Sequence, residues 1–375
     1  MQKSDKSHKV SAINKKKRDR QRFSEQLGYD AFSRNGGAMK RKNKITMNDI
    51  ARKAGVSQAT VSLVLNQSRN IKLSEETRQR VITVAMELGY DRLPTMHAPN
   101  NQEEVALLIS SLQSYDPFID AISQARETAY RNKVLLTVYD YGDDVDLALN
   151  IISQLERRNC IGIILASPVT TLVDMSAFQE CTQIPLVMLN QSDPGQPLMP
   201  SFIPDDYGNA FQVTKHLIDC GAKRIAHITG ESWMEASRQR LAGYQDALQQ
   251  AGLAYDDSLI YQTNWQFSES FTATTSLLQM SARPDAIFCA SDWLAIGCYQ
   301  SLAMHGVQIP RDMLLAGYDD QKISEQMTPS LTSIELPYSE LGRLAVEYLY
   351  NQEDAATHVT LAGRLKVRQS SRKDG

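Results

Sequence analysis

The stretch "GVSQATVSLVLNQ", residues 55–67, sets Val61, Val64 and Leu65 on one helical face and leaves Leu63 on the other. Apolar residues at i, i+3 and i+4 mark the buried stripe of a short α-helix, so a leucine outside the stripe needs a partner other than the helix's own core. Just upstream, "MNDIARKAG" offers Ile50, Ala51 and Ala54 to the same core, and Gly55 supplies the left-handed residue that stops a helix. Val56 fills the corner, and the Ser57 hydroxyl is placed to accept a first-turn N–H as an N-cap. A third helix begins at Ser74, carries Glu75 and Glu76 where the helix dipole favours acids, turns Val81, Val84, Ala85 and Leu88 inward, and ends at Gly89. Three such helices around a tight turn predict a helix-turn-helix unit with residues 58–66 as its recognition helix. Gln58, Ala59, Ser62 and Leu63 then form the outer face.

Charge points the same way. Residues 1–100 hold 21 Lys and Arg against 9 Asp and Glu, whereas the whole chain of 375 residues has a net charge of -3. A basic front on an acidic body is the pattern of a protein whose front meets a polyanion, and DNA is the usual partner of a helix-turn-helix. Residues 1–43 are polar and basic with no apolar period and are expected to be a disordered extension. The helical unit spans 44–93, and a proline-bearing linker follows at 94–102.

From residue 103 to about 370 apolar runs alternate with amphipathic ones, which predicts a parallel α/β sheet architecture. One series is "EVALLIS", "KVLLTVYD", "IGIILAS" and "IPLVMLN"; the second is "RIAHITG", "SLIYQTNW", "DAIFCASD" and "LLAGYDD". Ligands of open parallel sheets gather beyond the carboxyl ends of strands. Those ends carry Ser110, Asp140, Ser167 and Asn190 in the first series, and Gly230, Trp265, Ser291 and Asp319 in the second. Hydroxyls, carboxylates, an amide and an indole around one cleft suit a sugar. The five cysteines lie mostly in apolar runs without metal spacing and read as reduced core thiols. No GxSxG, P-loop or strand-linked GxGxxG occurs and the six histidines are scattered, so neither enzyme chemistry, nor a cofactor, nor a metal site is expected. With no apolar run of roughly 18 residues and no secretory leader in "MQKSDKSHKV", a cytoplasmic, nucleoid-associated location without membrane contact is expected.

"TMNDIARKAGVSQATVSLVLN" and "SEETRQRVITVAMELGY" resemble the DNA-binding headpiece of the lactose/galactose repressor family. The resemblance implies base contacts from Gln58, Ala59 and Leu63 and backbone contacts from Ser57, Thr60, Ser62 and Asn66. Leu63 and Ala59, four residues apart, then make an apolar patch for thymine methyls, and Gln58 can bond adenine. The likeness runs from residue 44 to about 368 through "DDYGNAFQVTKHLIDCGAKRIAHITG", "RLAGYQDAL", "IFCASDWLAIG" and "PSLTSIELPYSELGRLA". It implies an N-terminal all-α headpiece plus a two-lobed core of the periplasmic-binding-protein type I fold. The first lobe would comprise about 103–203 and 334–352, the second about 204–333 and 353–370. The family's effector positions fall on Ser110, Phe118, Asn190, Arg240, Trp265, Ser291 and Asp319.

The function so implied is a homodimeric transcriptional regulator, a repressor of carbohydrate uptake or catabolism genes that binds double-stranded pseudo-palindromic operator DNA and a sugar-like effector. Two alternatives stay open: a corepressor-dependent regulator responding to a nucleobase or sugar phosphate, and a non-regulatory sugar-binding receptor. Three departures are visible. "NQSRNIKLSEET" is about two residues longer than its counterpart in familiar members, and Pro94 and Pro99 disfavour a continuous hinge helix. The segment from Met39 already resembles a complete family N-terminus, so residues 1–38 are expected to be dispensable.

Overall fold

Short capped helices come first along the chain, then strands that mostly alternate with helices. The computed structural model describes residues 45–65, 73–88, 90, 103–112, 117–142, 144–195, 199–351 and 358–372. The expectations for residues 1–43, for Asn66 and for the linker at 94–102 lie outside them. The chain divides into two compact units, Met1–Ala98 and Pro99–Gly375.

In the first unit α1 (Met47–Ala54), α2 (Gln58–Leu65) and α3 (Glu75–Leu88) follow one another. Thr46 and Asp49 form a reciprocal capping box at the start of α1, with the Thr46 amide donating to Asp49 Oδ2 at 2.9 Å. The Thr46 hydroxyl, donating to the same oxygen at 2.6 Å, and after it the Thr46 amide hold the exposed Asp49 carboxyl below its usual pKa. Gly55, at φ 67°, ends the helix in the left-handed region. The Thr60 amide donates to Ser57 Oγ at 3.0 Å and the Thr77 amide to Ser74 Oγ at 3.3 Å, so both serines cap the helices after them. Ile50, Ala51, Ala54, Val61, Val64, Leu65, Val81, Val84 and Ala85 are buried together, with Leu88 packed at their edge. Helical spacing in the sequence selects these residues, and their burial is what holds three short helices that would be marginal in isolation.

Among the described residues of the second unit there are two parallel sheets. The first has six strands: β1 (Glu104–Ile109), β2 (Leu135–Asp140), β3 (Cys160–Leu172), β4 (Leu186–Ser192), β5 (Ser201–Pro204) and β11 (His358–Leu361), in the spatial order β11-β5-β4-β3-β1-β2. The second has four: β6 (Ile225–Thr229), β7 (Ile260–Gln262), β8 (Ala286–Cys289) and β9 (Leu314–Ala316), in the order β7-β6-β8-β9. Central strands such as β1 and β6 are buried on both faces, which is why they read as continuous apolar runs. Helices α4 (Ile119–Arg131) and α12 (Tyr338–Asn351) pack on each other beside the first sheet, and α7 (Asp206–Asp219) packs on α8 (Glu235–Gln250) beside the second. A short antiparallel pair, β10 (Ser333–Glu335) with β12 (Arg364–Lys366), joins the lobes.

One lobe boundary is corrected. Residues 353–370 were expected wholly in the second lobe, but His358–Leu361 pairs in parallel with Ser201–Pro204 as the outer strand of the first sheet. The free backbone edge of β5 is what the segment satisfies. Ser201 Oγ and His358 Nδ1, 2.9 Å apart, add a side-chain tie, and only with β12 does the chain rejoin the second lobe. The five cysteines are free, but only Cys289 and Cys298 are fully buried; the other three are half-buried.

Candidate functional site

The recognition helix α2 shows its two faces as the spacing requires. Val61, Val64 and Leu65 are buried, Ser57, Gln58 and Ala59 are exposed, and Thr60, Ser62 and Leu63 are half-buried. Ser57 Oγ already accepts the Thr60 amide and lies 2.9 Å from Thr60 Oγ1, so these hydroxyls order the helix start as well as facing outward.

In the second unit a cleft of about 500 Å³ opens between the lobes. Of the seven expected effector positions, Ser110, Arg240, Trp265, Ser291 and Asp319 line it. Asn190 and Phe118 do not. Phe118 is fully buried and meets the ring of Tyr338 edge-on at 5.3 Å, and Tyr338 is what faces the cleft. Asn190 is also fully buried; its Nδ2 donates to the Ser167 carbonyl at 3.0 Å and to Tyr338 Oη at 3.1 Å. Both residues therefore sit one layer behind the lining and set the position of Tyr338.

Arg240 is nearly inaccessible, with 2% of its surface exposed. Its Nε donates to Asp206 Oδ1 at 2.8 Å and its Nη1 to the Ala290 carbonyl at 2.6 Å, while the guanidinium lies 3.8 Å over the Tyr318 ring and 5.8 Å from Trp265. Burial alone would lower the Arg240 pKa, but the charges of Asp206 and its neighbours outweigh it and raise the pKa above the ordinary value. Asp206 also accepts the Tyr318 hydroxyl at 2.9 Å. Its Oδ2 accepts Thr170 Oγ1, from the first lobe, at 2.6 Å, and Thr170 in turn lies 3.0 Å from Asn190 Oδ1. Arg240 and Asn190, 50 residues apart in sequence, are thus the ends of one buried network through Asp206 and Thr170 that crosses between the lobes.

The remaining positions are held by backbone. Ser291 Oγ caps α10 (Asp292–Met304) by accepting the Leu294 amide at 3.2 Å. Positive φ values occur at Asn190 (60°), Trp265 (61°) and Asp319 (104°), three of the five such non-glycine residues among those described. Left-handed backbone costs a branched or bulky side chain of order 1–3 kcal/mol, and such strain gathers where a side chain must be aimed. Trp265 has space only because residue 230 is glycine: a Cβ there would lie 2.0 Å from its Cζ2. Its Nε1 donates to Met234 Sδ at 3.2 Å.

Several lining residues were not singled out from the sequence. Beyond Ala166 the pairing of β3 with β4 slips, so that Thr171 lies beside Gln191 past the regular end of the sheet. Gln191 is 97% buried, yet its Oε1 and the Thr171 Oγ1 beside it have no hydrogen-bond partner among the described residues, and both residues face the cleft. Buried polar atoms left without partners are rare in native proteins and mark places where a ligand or water completes the bonding. Trp233, Trp293 and Tyr141 line the cleft as well. Asp206 stands inside the quoted run "DDYGNA", but nothing local identified it as the partner of Arg240. Among the described residues no group of His, Cys, Asp and Glu could hold a metal ion, and no helix is long and apolar enough to cross a membrane.

Known proteins share both units. Residues 46–92 match the bacterial regulatory proteins of the lacI family, and residues 214–371 match the periplasmic binding protein-like domain. The ribose operon repressor of Haemophilus influenzae is 31% identical over 81% of this chain and 90% of its own length. Among solved structures, a complex of the transcriptional regulator CelR with cellobiose is 27% identical with a TM-score of 0.63, covering 87% of this chain and 99% of that one. The lac repressor dimer bound to operator and the anti-inducer ONPF is 25% identical with a TM-score of 0.63, over 88% and 99% of the two chains. With a capped helix-turn-helix followed by a two-lobed parallel α/β core around an interlobe cleft, the chain belongs to the lacI family of bacterial transcriptional regulators.

Proposed function

We propose that this regulator is a homodimeric repressor of carbohydrate genes, acting in the cytoplasm and without catalytic activity of its own, whose affinity for a pseudo-palindromic operator is set by a neutral saccharide in the interlobe cleft. Saccharide binding by this chain is supported chiefly by the lining. Unpartnered polar atoms on Thr171 and Gln191 belong to one lobe and an indole, Trp265, to the other, which offers hydrogen bonds to hydroxyls and an apolar face to ring C–H groups. The ribose and cellobiose named for two relatives agree with that chemistry. A sugar phosphate fits poorly. Among the described residues Arg240 is the sole cation in the lining and is already paired with Asp206, whereas Glu231 and Asp319 add negative charge.

Within the site Asp319 accepts hydroxyl protons, Ser110 and Ser291 add hydroxyl contacts, and Trp265 stacks. Arg240 holds the floor rather than reaching freely for ligand, and Phe118 and Asn190 position Tyr338. On the DNA side Gln58, Ala59 and Leu63 read base edges, with Ser57, Thr60, Ser62 and Asn66 on the phosphates. Dimerisation is supported by the apolar side chains Leu135 and Val138, both exposed on the edge strand β2.

A thermal-shift screen of the full chain against neutral sugars, sugar phosphates and nucleobases tests this reading. Neutral saccharides are expected to raise the melting temperature and the other classes to leave it unmoved; stabilisation by a nucleobase or sugar phosphate alone would refute it. For the headpiece, Leu63→Arg is expected to shift the operator recovered by binding-site selection toward guanine at one position per half-site, and an unchanged operator removes Leu63 from the readout.

A further inference from the structure

The chain contains three tryptophans, Trp233, Trp265 and Trp293, and all three line the cleft. They follow three successive strands of the second lobe: Trp233 lies beyond β6, Trp265 beyond β7 and Trp293 beyond β8. Their exposure is graded. Trp265 is half-buried above Arg240, Trp293 is half-buried with the ring of Phe267 edge-on to it at 5.6 Å and 85°, and Trp233 is 63% exposed. Phe267 itself is 36% exposed, so an aromatic track continues from the cleft floor to the surface. Large, partly exposed aromatic side chains converging on one cavity mark a ligand-binding surface, because their apolar faces are otherwise left in water.

Volume agrees. A single hexose occupies roughly 200 Å³ at the packing density of protein interiors, which leaves more than half of the 500 Å³ cleft unfilled. One indole is enough to carry one sugar ring, and the other two are surplus to a monosaccharide. We propose that the effector is a saccharide of at least two rings, the first stacked on Trp265 and the second carried toward the mouth by Trp293 and Trp233. This rests on the saccharide reading above and adds to it the length of the ligand and two residues that select it. The first ring meets the Thr171 and Gln191 side, where the unpartnered oxygens bond its hydroxyls. The second ring needs few directed bonds, since stacking against C–H faces is tolerant of which hydroxyls point outward.

Because every tryptophan lies in the cleft, tryptophan emission of the full chain, excited where its 15 tyrosines do not absorb, reports that site. Titration with glucose, galactose and ribose, with cellobiose, maltose, melibiose, trehalose and sucrose, and with maltotriose and cellotriose, is expected to show one disaccharide or trisaccharide binding at least tenfold more tightly than any monosaccharide. Calorimetry on Trp233→Ala and Trp293→Ala is expected to lower that preference at least fivefold in each, whereas Trp265→Ala weakens monosaccharide and disaccharide alike. Trp233 is mostly exposed, so its removal leaves the fold intact, and retained DNA binding by the variant verifies it. A monosaccharide that binds as tightly as every longer sugar overturns the two-ring inference and leaves the saccharide reading standing. Silence toward all these sugars, with a response to hypoxanthine or glucose 6-phosphate, overturns both.

Discussion

The two walls of the cleft are built on different physical principles. On the second-lobe side the largest groups are aromatic or already bonded: Arg240 is bonded to Asp206 and Ala290 and roofed by Tyr318 and Trp265, and Trp265 is seated against Gly230. On the first-lobe side Thr171 and Gln191 keep unused bonding capacity on an irregular extension of β3 and β4. A satisfied aromatic wall offers area and stiffness, and so sets how tightly a ligand is held. A wall with unpartnered oxygens offers directed bonds, and so sets which ligand is held, since a wrong one leaves those atoms unpaired. The first-lobe wall thereby adds discrimination to the area and stiffness of the second, where Asp319 and Ser291 also offer directed bonds, and a ligand must touch both to gain both.

The largest expected effect is on the satisfied wall. Breaking the Arg240–Asp206 pair from one side, by Arg240→Ala or Asp206→Ala, leaves a buried charge uncompensated and is expected to cost about 3–5 kcal/mol of stability, read as a fall in urea midpoint. Replacing both partners together by Met and Leu should recover most of it. Equal losses in the single and double variants would show that the pair is not what stiffens this wall.

A smaller effect comes from the support beneath it. His227 is fully buried between the rings of Tyr244, at 5.2 Å, and Phe288, at 4.5 Å; its Nδ1 lies 3.0 Å from the Phe288 carbonyl and its Nε2 has no partner among the described residues. Burial lowers its pKa from 6.5 to about 4. Below 6.5 the unfolded chain takes up a proton that the fold refuses, so this contribution is complete above pH 6.5 and fades as pH falls toward 4. It amounts to about 3 kcal/mol across that window. His227→Phe is expected to flatten the acid limb of a stability–pH profile while changing stability at pH 7 by only about 1 kcal/mol. An unchanged acid limb would mean that other groups govern it.

On ligand binding the order of effects separates the walls. Asp319→Ala removes a charged acceptor and is expected to weaken the effector by about 1.5–3 kcal/mol, tenfold to a hundredfold. Gln191→Leu removes an uncharged acceptor and is expected to cost about 1 kcal/mol for the best sugar while narrowing its margin over epimers. If calorimetry finds Gln191→Leu equally harmful to every epimer, discrimination does not reside on the first-lobe wall.

Much of this was legible in the sequence, for reasons that also explain what was not. The headpiece is local: caps at Ser57 and Ser74, the stop at Gly55 and the stripe of Val61, Val64 and Leu65 each involve residues within four positions of one another. The strands are legible because burial on both faces writes itself as an apolar run. The strand at 358–361 escaped because four residues, "HVTL", carry no such run and only the open edge of β5 makes them a strand. Motif matching brought Asn190 and Phe118 near the cleft but could not tell lining from backing, which depends on where Tyr338 lies, 148 residues from Asn190 in sequence. Gln191 follows Asn190 directly, and nothing in the run "IPLVMLNQS" tells which of the two neighbours meets the cleft. The left-handed φ at Asn190 and the slipped register beside Thr171 decide it, and neither is visible in the sequence. The resemblance puts Arg240 at the effector but does not give its pairing with Asp206, because that carboxylate comes from a different helix.

The central claim is that a neutral saccharide between these walls controls operator binding. It is tested most directly by the affinity of the full chain for its selected operator, measured by fluorescence anisotropy at fixed salt with and without each neutral saccharide, beside Asp319→Ala. The account predicts that at least one neutral saccharide changes operator affinity at least tenfold, and that Asp319→Ala binds the bare operator normally but loses the response. Operator affinity indifferent to every neutral saccharide, yet moved by a nucleobase or a sugar phosphate, would contradict it.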